Sequence, residues 1–333
     1  MSQLHVVLGA TGAIGKAVVA ELTARGRHVR AVTRGAATGP DDLRADITTL
    51  DGAIAACDGA AVVYQCAQPG YTRWVTEFPA LTRTVLAGVE AAGAKLVMAD
   101  NLYVYGPVEG TMTEDLPHVA GSRKGRARAE VDKLILDAHQ SGRVRATLGR
   151  ASDYYGPGGV NTVLGPTIFA AALNGKTARW MGDLDQPHTL NYLPDIAAAL
   201  VTLGEHEQAD GRAWHLPAAG AITGRQFLDH VWSAAGGSPR IAGLGRTTQR
   251  LIGLFNPIVR ELGETWYQRD RPFVSDDSAF RNAFGPVNVT PHDEAVSATL
   301  NWYRHHHPES QRPGGTPDGR PAAGSQGRDD PSE

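Results

Sequence analysis

Short apolar runs alternate with amphipathic stretches through the first half of the chain, the pattern left by successive strand–helix–strand units of a parallel sheet. Leu4 to Leu8 reads as a strand, Gly12 to Arg25 as a helix, and His28 to Thr33 and Ala61 to Gln65 as further strands. Thr72 to Ala92 predicts a helix, Lys95 to Ala99 a strand, Ala127 to Gln140 a helix, and Val144 to Arg150 a strand. From Pro157 the pattern loosens into short segments punctuated by glycine. One clear later helix begins at Pro194-Asp195, where Asp195 would satisfy free N–H groups of the first turn. The expected architecture is α/β, a doubly wound parallel sheet with a small C-terminal capping lobe. Residues 1–156 would form the sheet core, with 186–204 returning to it, while 157–185 and 205–307 would form the cap. The Pro/Gly/Ser-rich, charged stretch 308–333 has almost nothing to bury and reads as a disordered tail.

Composition narrows the class. A hydrophobic fraction of 42% and a charged fraction of 20% are those of an ordinary globular protein with a sizeable core. A net charge of -3 argues against a nucleic-acid partner, which calls for a basic face. Cys57 and Cys66 are too few and too far apart for a disulfide scaffold or a zinc site, so no metal is expected. The first residues run straight into a strand, and no apolar stretch approaches the roughly 20 residues that span a bilayer. A reduced, cytosolic protein with no membrane partner is the expectation.

The first strand and first helix are joined by Gly9-Ala10-Thr11-Gly12-Ala13-Ile14-Gly15. Glycines in such a loop permit the tight turn, let backbone approach a pyrophosphate, and let helix and strand pack closely. The helix start then offers oriented N–H groups to the phosphates. In this strand-before, helix-after setting the run reads as the dinucleotide fingerprint of a Rossmann fold. An NAD site places Asp or Glu at the end of the second strand, whereas an arginine accommodates the extra phosphate of NADP. Here that strand ends in Thr33-Arg34-Gly35, so NADP is expected over NAD. Asp46, followed by Ile47, either touches the adenine edge or caps a helix. The loop Cys66-Ala67-Gln68-Pro69-Gly70-Tyr71 follows the third strand at the carboxyl end of the sheet, and its backbone should run past the cofactor. Cys66 itself reads as a small apolar residue rather than a nucleophile.

Taken in order, the glycine loop, Asp46-Ile47, Ala94 to Val97 leading to Tyr103-Val104-Tyr105-Gly106, Arg150 to Gly158, and Asn191-Tyr192-Leu193-Pro194-Asp195-Ile196 resemble the extended short-chain dehydrogenase/reductase family, which includes nucleotide-sugar epimerases and dehydratases. The resemblance covers about residues 4 to 305. It implies a Ser or Thr, a Tyr and a Lys as catalytic set, the last two as Tyr-x-x-x-Lys. This chain departs from that set. Counting from Val104-Tyr105-Gly106 puts Asn101 in the serine's place. Counts forward from Glu114 and back from Arg150 agree on Lys124 for the tyrosine and Arg128 for the lysine. A second frame, Ser122 and Arg126, fits the following helix less well.

Lys124 and Arg128, four apart, share one helix face. Arg128 could fork onto the ribose hydroxyls that the family's lysine holds. Lys124 would then stand where the proton donor stands, its protonated form disfavoured by the like charge of Arg128. The plainer alternative is that Arg123, Lys124, Arg126 and Arg128 are the solvated face of a charged helix. Asn101 and Tyr103, two apart on an extended segment, would point the same way. Asn101 could then bond a substrate carbonyl and Tyr103 supply a phenolic proton. Asp100 could pair with Lys124 or Arg128, or cap a loop.

By position in the resemblance, Asn161, Trp180, Met181, His188, Asn191, Trp266, Tyr267 and Arg271 are candidate substrate contacts in the cap. Aromatic residues in such a lobe are otherwise core, and a lone histidine is otherwise structural. No role is assigned to His305-His306-His307. Three functions remain open. The first is an NADP-dependent oxidoreductase acting on a small carbonyl or polar alicyclic substrate. The second is an epimerase or dehydratase that keeps its cofactor. The third is a non-catalytic NADP-binding redox sensor. A homodimer through two sheet-flanking helices is what the resemblance implies.

Overall fold

The computed structural model describes residues 3–36, 39 and 41–306; His307 and the segment 308–333 lie outside the described residues. Strands β1 (Leu4–Leu8), β2 (His28–Thr33), β3 (Leu43–Arg44), β4 (Ala60–Gln65) and β5 (Lys95–Asn101) join Arg145–Ala151 and Ala213–His215 in one seven-stranded sheet. Every neighbouring pair runs parallel. Reading across the sheet, Ala213–His215 is followed by Arg145–Ala151, β5, β4, β1, β2 and β3. The chain therefore builds outward from β1 on one side, then returns to build from β4 on the other. That reversal opens a crevice at the carboxyl ends of β1 and β4, where open α/β sheets bind ligands.

Helices cover both faces, which is why β1 and β4 read as nearly continuous apolar runs. On one face lie α2 (Leu50–Cys57), α3 (Trp74–Ala92) and α4 (Arg123–Gln140), which bury Phe78, Val85, Val131 and Ile135 against the sheet. On the other lie α1 (Ala13–Ala24) and the helix Leu193–Glu205, which bury Val18, Leu22, Ile196, Leu200 and Leu203. The cap has its own core, built from Tyr155, Phe169, Trp180, Phe227, Trp232 and Tyr303.

Several elements differ from the sequence expectation. The helix α4 starts at Arg123, four residues before Ala127, because the Ser122 hydroxyl accepts from the Gly125 N–H at 3.0 Å. That cap draws Arg123 to Arg126 into the helix. The two-residue β3 and the short, alanine-rich α2 carry too little periodicity to read in advance. Asp195 does not cap its own helix; its carboxylate accepts from the Thr290 N–H at 2.9 Å and the Thr290 hydroxyl at 2.8 Å. Finally, Ala213–His215 belongs to the main sheet, and Phe280 of the helix Ser278–Phe284 packs with the core. The region after 205 is therefore only partly cap.

Candidate active site

A cleft of about 650 Å³ opens at the switch point between β1 and β4. Gly9, Thr11, Gly12, Ala13 and Ile14 form its floor, Arg34, Asp46 and Ile47 one end, and Cys66, Ala67 and Gln68 a wall. Gly15 is not in the lining; it stands behind the loop. A Cβ at Gly15 would come within 2.3 Å of the Gly9 carbonyl oxygen, so only glycine lets α1 seat against the turn. Gly9 has φ of 76°, and a Cβ there would meet the Ala67 backbone at 2.6 Å. The two loops that shape the cleft are thus in backbone contact.

Gly12 starts α1 with no side chain capping the helix. The Gly12 N–H closes the turn onto the Gly9 carbonyl at 3.0 Å, and the first-turn residues Ala13 and Ile14 line the cleft with no side chain capping them, a cradle that suits the diphosphate of a dinucleotide. Arg34 stands exposed at the end of β2, where no carboxylate follows the strand. The Asp46 carboxylate accepts from the Thr48 N–H at 3.0 Å and the Thr48 hydroxyl at 2.7 Å, and these bonds hold it below its ordinary range. Burial pushes the Cys66 thiol up to about 12, so it stays protonated and serves as a small wall residue.

The four expected catalytic residues lie outside that lining. Arg128 is buried, its guanidinium stacked on Trp74 at 4.3 Å and Phe78 at 4.4 Å. It donates to Asp100 at 3.0 Å and to the Gln68 side-chain oxygen at 3.1 Å, so it reaches the cleft wall directly. Asp100 also accepts from Arg150 at 3.2 Å, and Arg150 in turn pairs with buried Asp132. Burial, with Asp100 close by, holds Asp132 well above the ordinary carboxylate range.

Lys124 is also buried, and it does not meet Arg128 as its charge neighbour. Its ammonium pairs with Glu261 and lies 4.5 Å from the centre of the Tyr71 ring. The neighbouring Arg123 pairs with Glu261 and Glu264. The solvated-face reading fails for Lys124 and Arg128 and holds only for Arg126 and part of Arg123. Asn101 and Tyr103 do not extend in parallel. The chain turns after Asn101 into the 3-10 turn Tyr103–Tyr105, and the Asn101 side-chain oxygen accepts from the Tyr103 N–H at 3.1 Å. Burial raises the Tyr103 phenol well above its ordinary value, with Tyr71 and Asp153 nearby.

The cap candidates separate. His188 lies 3.4 Å from Asp153, which pairs with buried Arg269 at 2.9 Å. Asn191 spends its whole amide on the fold, accepting from the Ser152 N–H and donating to the Leu216 and Pro217 carbonyls. Trp180 is core, packed against Gly224 and Phe227, because the cap needs that indole to fill its centre. Met181 is half-buried, and Asn161 is exposed in a turn. Trp266 is buried, and Tyr267 packs beside Phe273. Arg271 lines a separate cavity of about 470 Å³ with Glu109.

Asp153, Arg269, Glu261 and Tyr154 carried no assigned role in the sequence reading. For Asp153 and Tyr154 a signal existed, since both follow a strand at its carboxyl end. None marks Glu261 or Arg269, which arrive from far along the chain.

The model of the NAD dependent epimerase/dehydratase family matches residues 5–216. The chain belongs to this family. Solved structures similar to it include three sugar-nucleotide enzymes. DesIV, a dTDP-glucose 4,6-dehydratase from Streptomyces venezuelae with NAD, matches with a TM-score of 0.76 at 17% identity, over 92% of this chain and 98% of that one. A UDP-glucuronic acid 4-epimerase from Bacillus cereus, with UDP-glucuronic acid and NAD, gives 0.75 at 18% over 91% and 99%. A dTDP-glucose 4,6-dehydratase from Bacillus anthracis with NAD gives 0.77 at 16% over 92% and 98%. At these identities the three establish the fold. No curated protein matches the sequence. The epimerase/dehydratase family is a family of NAD-dependent enzymes, and the glycine cradle fits a dinucleotide. Among the described residues no helix is long and apolar enough to cross a membrane.

Proposed function

We propose that this chain is an epimerase/dehydratase-type enzyme that keeps a dinucleotide in the cleft and acts on a hydroxyl-bearing, sugar-like substrate. The observation that carries the reading is the course of the cleft. It begins on the uncapped start of α1 and ends at Gly70, Arg73 and Tyr154, beside the buried polar group around Asp153. Bound there, a pyridine nucleotide supplies reversible hydride exchange with a carbon bearing oxygen. Arg128 anchors the Gln68 wall, and Lys124 and Tyr103 stand at the far end as candidates for proton movement. The sugar-nucleotide complexes among the structural neighbours support a polyhydroxylated substrate.

NADP is the proposed dinucleotide, although the neighbours carry NAD. Arg34 at the end of β2 supports it, since an arginine there suits a 2′-phosphate. The same arginine supports a second reading, net NADPH-dependent reduction of a small carbonyl. The experiment is to incubate the protein with sugar nucleotides and simple carbonyls while following nicotinamide absorbance. New product without net cofactor change supports the first reading, and stoichiometric NADPH loss supports the second. Absence of binding heat with either dinucleotide defeats both. A homodimer is part of the proposal, and light scattering at twice the chain mass tests it.

A further inference from the structure

Next to Gly70 and Tyr154, which line the cleft, stand polar side chains outside its lining that the fold leaves incompletely satisfied. The hydroxyls of Tyr71 and Tyr267, Nε of Arg269 and Oδ2 of Asp153 are buried without a well-formed hydrogen bond, although Tyr71 lies beside Tyr103 and Thr265 and Asp153 Oδ2 shares ion pairs with Arg269 at 2.9 Å and His188 at 3.4 Å. Buried polar groups are nearly always bonded, so such a group of orphans marks a place completed by something that enters. Among them Tyr71 has the most telling position. Gly70 before it and Arg73 after it both line the cleft. The Lys124 ammonium sits 4.5 Å from its ring centre. Tyr71 and Tyr103 share Trp74, their rings 5.0 and 5.9 Å from the indole, and Tyr267 sits beside Phe273.

We propose that the Tyr71 phenol gives a proton to, and takes it back from, the substrate oxygen in this site, with Lys124 as the cation that stabilises its phenolate. The inference rests on the dinucleotide reading above and goes beyond it by naming the proton carrier. As donor, Tyr71 breaks its O–H bond while the substrate's carbonyl oxygen gains that proton. The bonding pair stays on the phenol oxygen, matching the hydride received at the neighbouring carbon. In the reverse direction the phenolate takes the hydroxyl proton. Burial holds the phenol above its ordinary value, so the resting protein keeps the proton. The groups facing Tyr71 are Lys124 from α4, Tyr103 after β5, Asp153, Thr265 and Arg269, with Glu261 across Lys124. Of these, Asp153 and the Glu261 carboxylate paired with Lys124 oppose the phenolate, while Arg269 and Lys124 favour it.

The test reads the phenol directly. Ultraviolet difference absorbance of tyrosinate is followed against pH with and without NADP⁺, after calorimetry has shown that it binds. The cationic nicotinamide should bring one tyrosine's midpoint down by about one to two units. In Tyr71→Phe that shift should vanish with NADP⁺ still bound, whereas in Tyr103→Phe it should persist. Lys124→Met should raise the midpoint. No shift in the native protein, or one that survives Tyr71→Phe, overturns the proposal while leaving dinucleotide binding intact. No binding heat defeats the cofactor reading and this assignment together. Circular dichroism melting confirms that each variant is folded.

Discussion

Asp100 and Arg128 form a buried ion pair at 3.0 Å, and the same carboxylate reaches Arg150 at 3.2 Å. One aspartate at the end of β5 thus holds two guanidiniums, one of which supports the Gln68 wall of the cleft. Replacing Asp100 with Asn takes from buried Arg128 its carboxylate partner and leaves Arg150 to Asp132 alone. Loss of one partner of a buried pair costs about 3–5 kcal/mol. Urea unfolding of Asp100→Asn should show a destabilisation of that order, and an unchanged midpoint would remove the pair's structural role.

A methyl group at Gly15 would press on the Gly9 carbonyl oxygen at 2.3 Å, a backbone atom that cannot step aside alone. Gly15→Ala should therefore cost about 1–3 kcal/mol and displace the turn that faces the diphosphate. Calorimetry should show dinucleotide affinity falling along with thermal stability. A variant that binds as tightly as the parent would separate this glycine from the cradle.

Most of the fold and half of the site were legible in the sequence, for different reasons. Parallel strands buried on both faces leave apolar runs that stand out, and the glycine loop is local, so its cradle could be placed within a single turn. The Lys124 to Arg128 spacing was also local. What those residues face was not, because Glu261 and Asp100 reach them from elements 137 and 28 residues away. A like-charge pair one helical turn apart became two separate ion pairs for that reason. Trp180 and Asn191 show the converse. Their places in the resemblance implied substrate contact, but one fills the cap's centre and the other ties Ser152 to Leu216 and Pro217.

Arg34 is exposed at the end of β2, so replacing it should spare the fold and test the proposed cofactor choice. Arg34→Ala should weaken NADP⁺ by about tenfold or more, the value of one charge-assisted bond to phosphate, while NAD⁺ changes little. Parallel titrations give the ratio directly. Equal losses for both would assign Arg34 to something other than the ribose phosphate.

Burial alone would raise Asp153, but Arg269 and His188 more than offset it and hold the carboxylate below its ordinary range. A depressed carboxylate contributes stability that is full above its unfolded value, about 3.9, and is lost as pH falls toward the folded one. The stability gap between the parent and Asp153→Asn should therefore be widest near neutrality and narrow progressively below about pH 4. Denaturation at a series of pH values measures it, and a gap that stays constant on acidification would contradict the ion-pair account.

The chain's itinerary limits how the molecule can be taken apart. After Gly156 it leaves the sheet for the cap, comes back for Leu193–Glu205 and the edge strand Ala213–His215, and departs again for the helix Gly224–Ala235. It touches the core once more at Ser278–Phe284 before returning to the cap in the helix His292–His306. No single cut separates the two regions, so the cap cannot be trimmed off or exchanged like a cassette. Laboratory attempts to retarget this enzyme by grafting should aim at side chains on the existing backbone, and melting should proceed as one event rather than two.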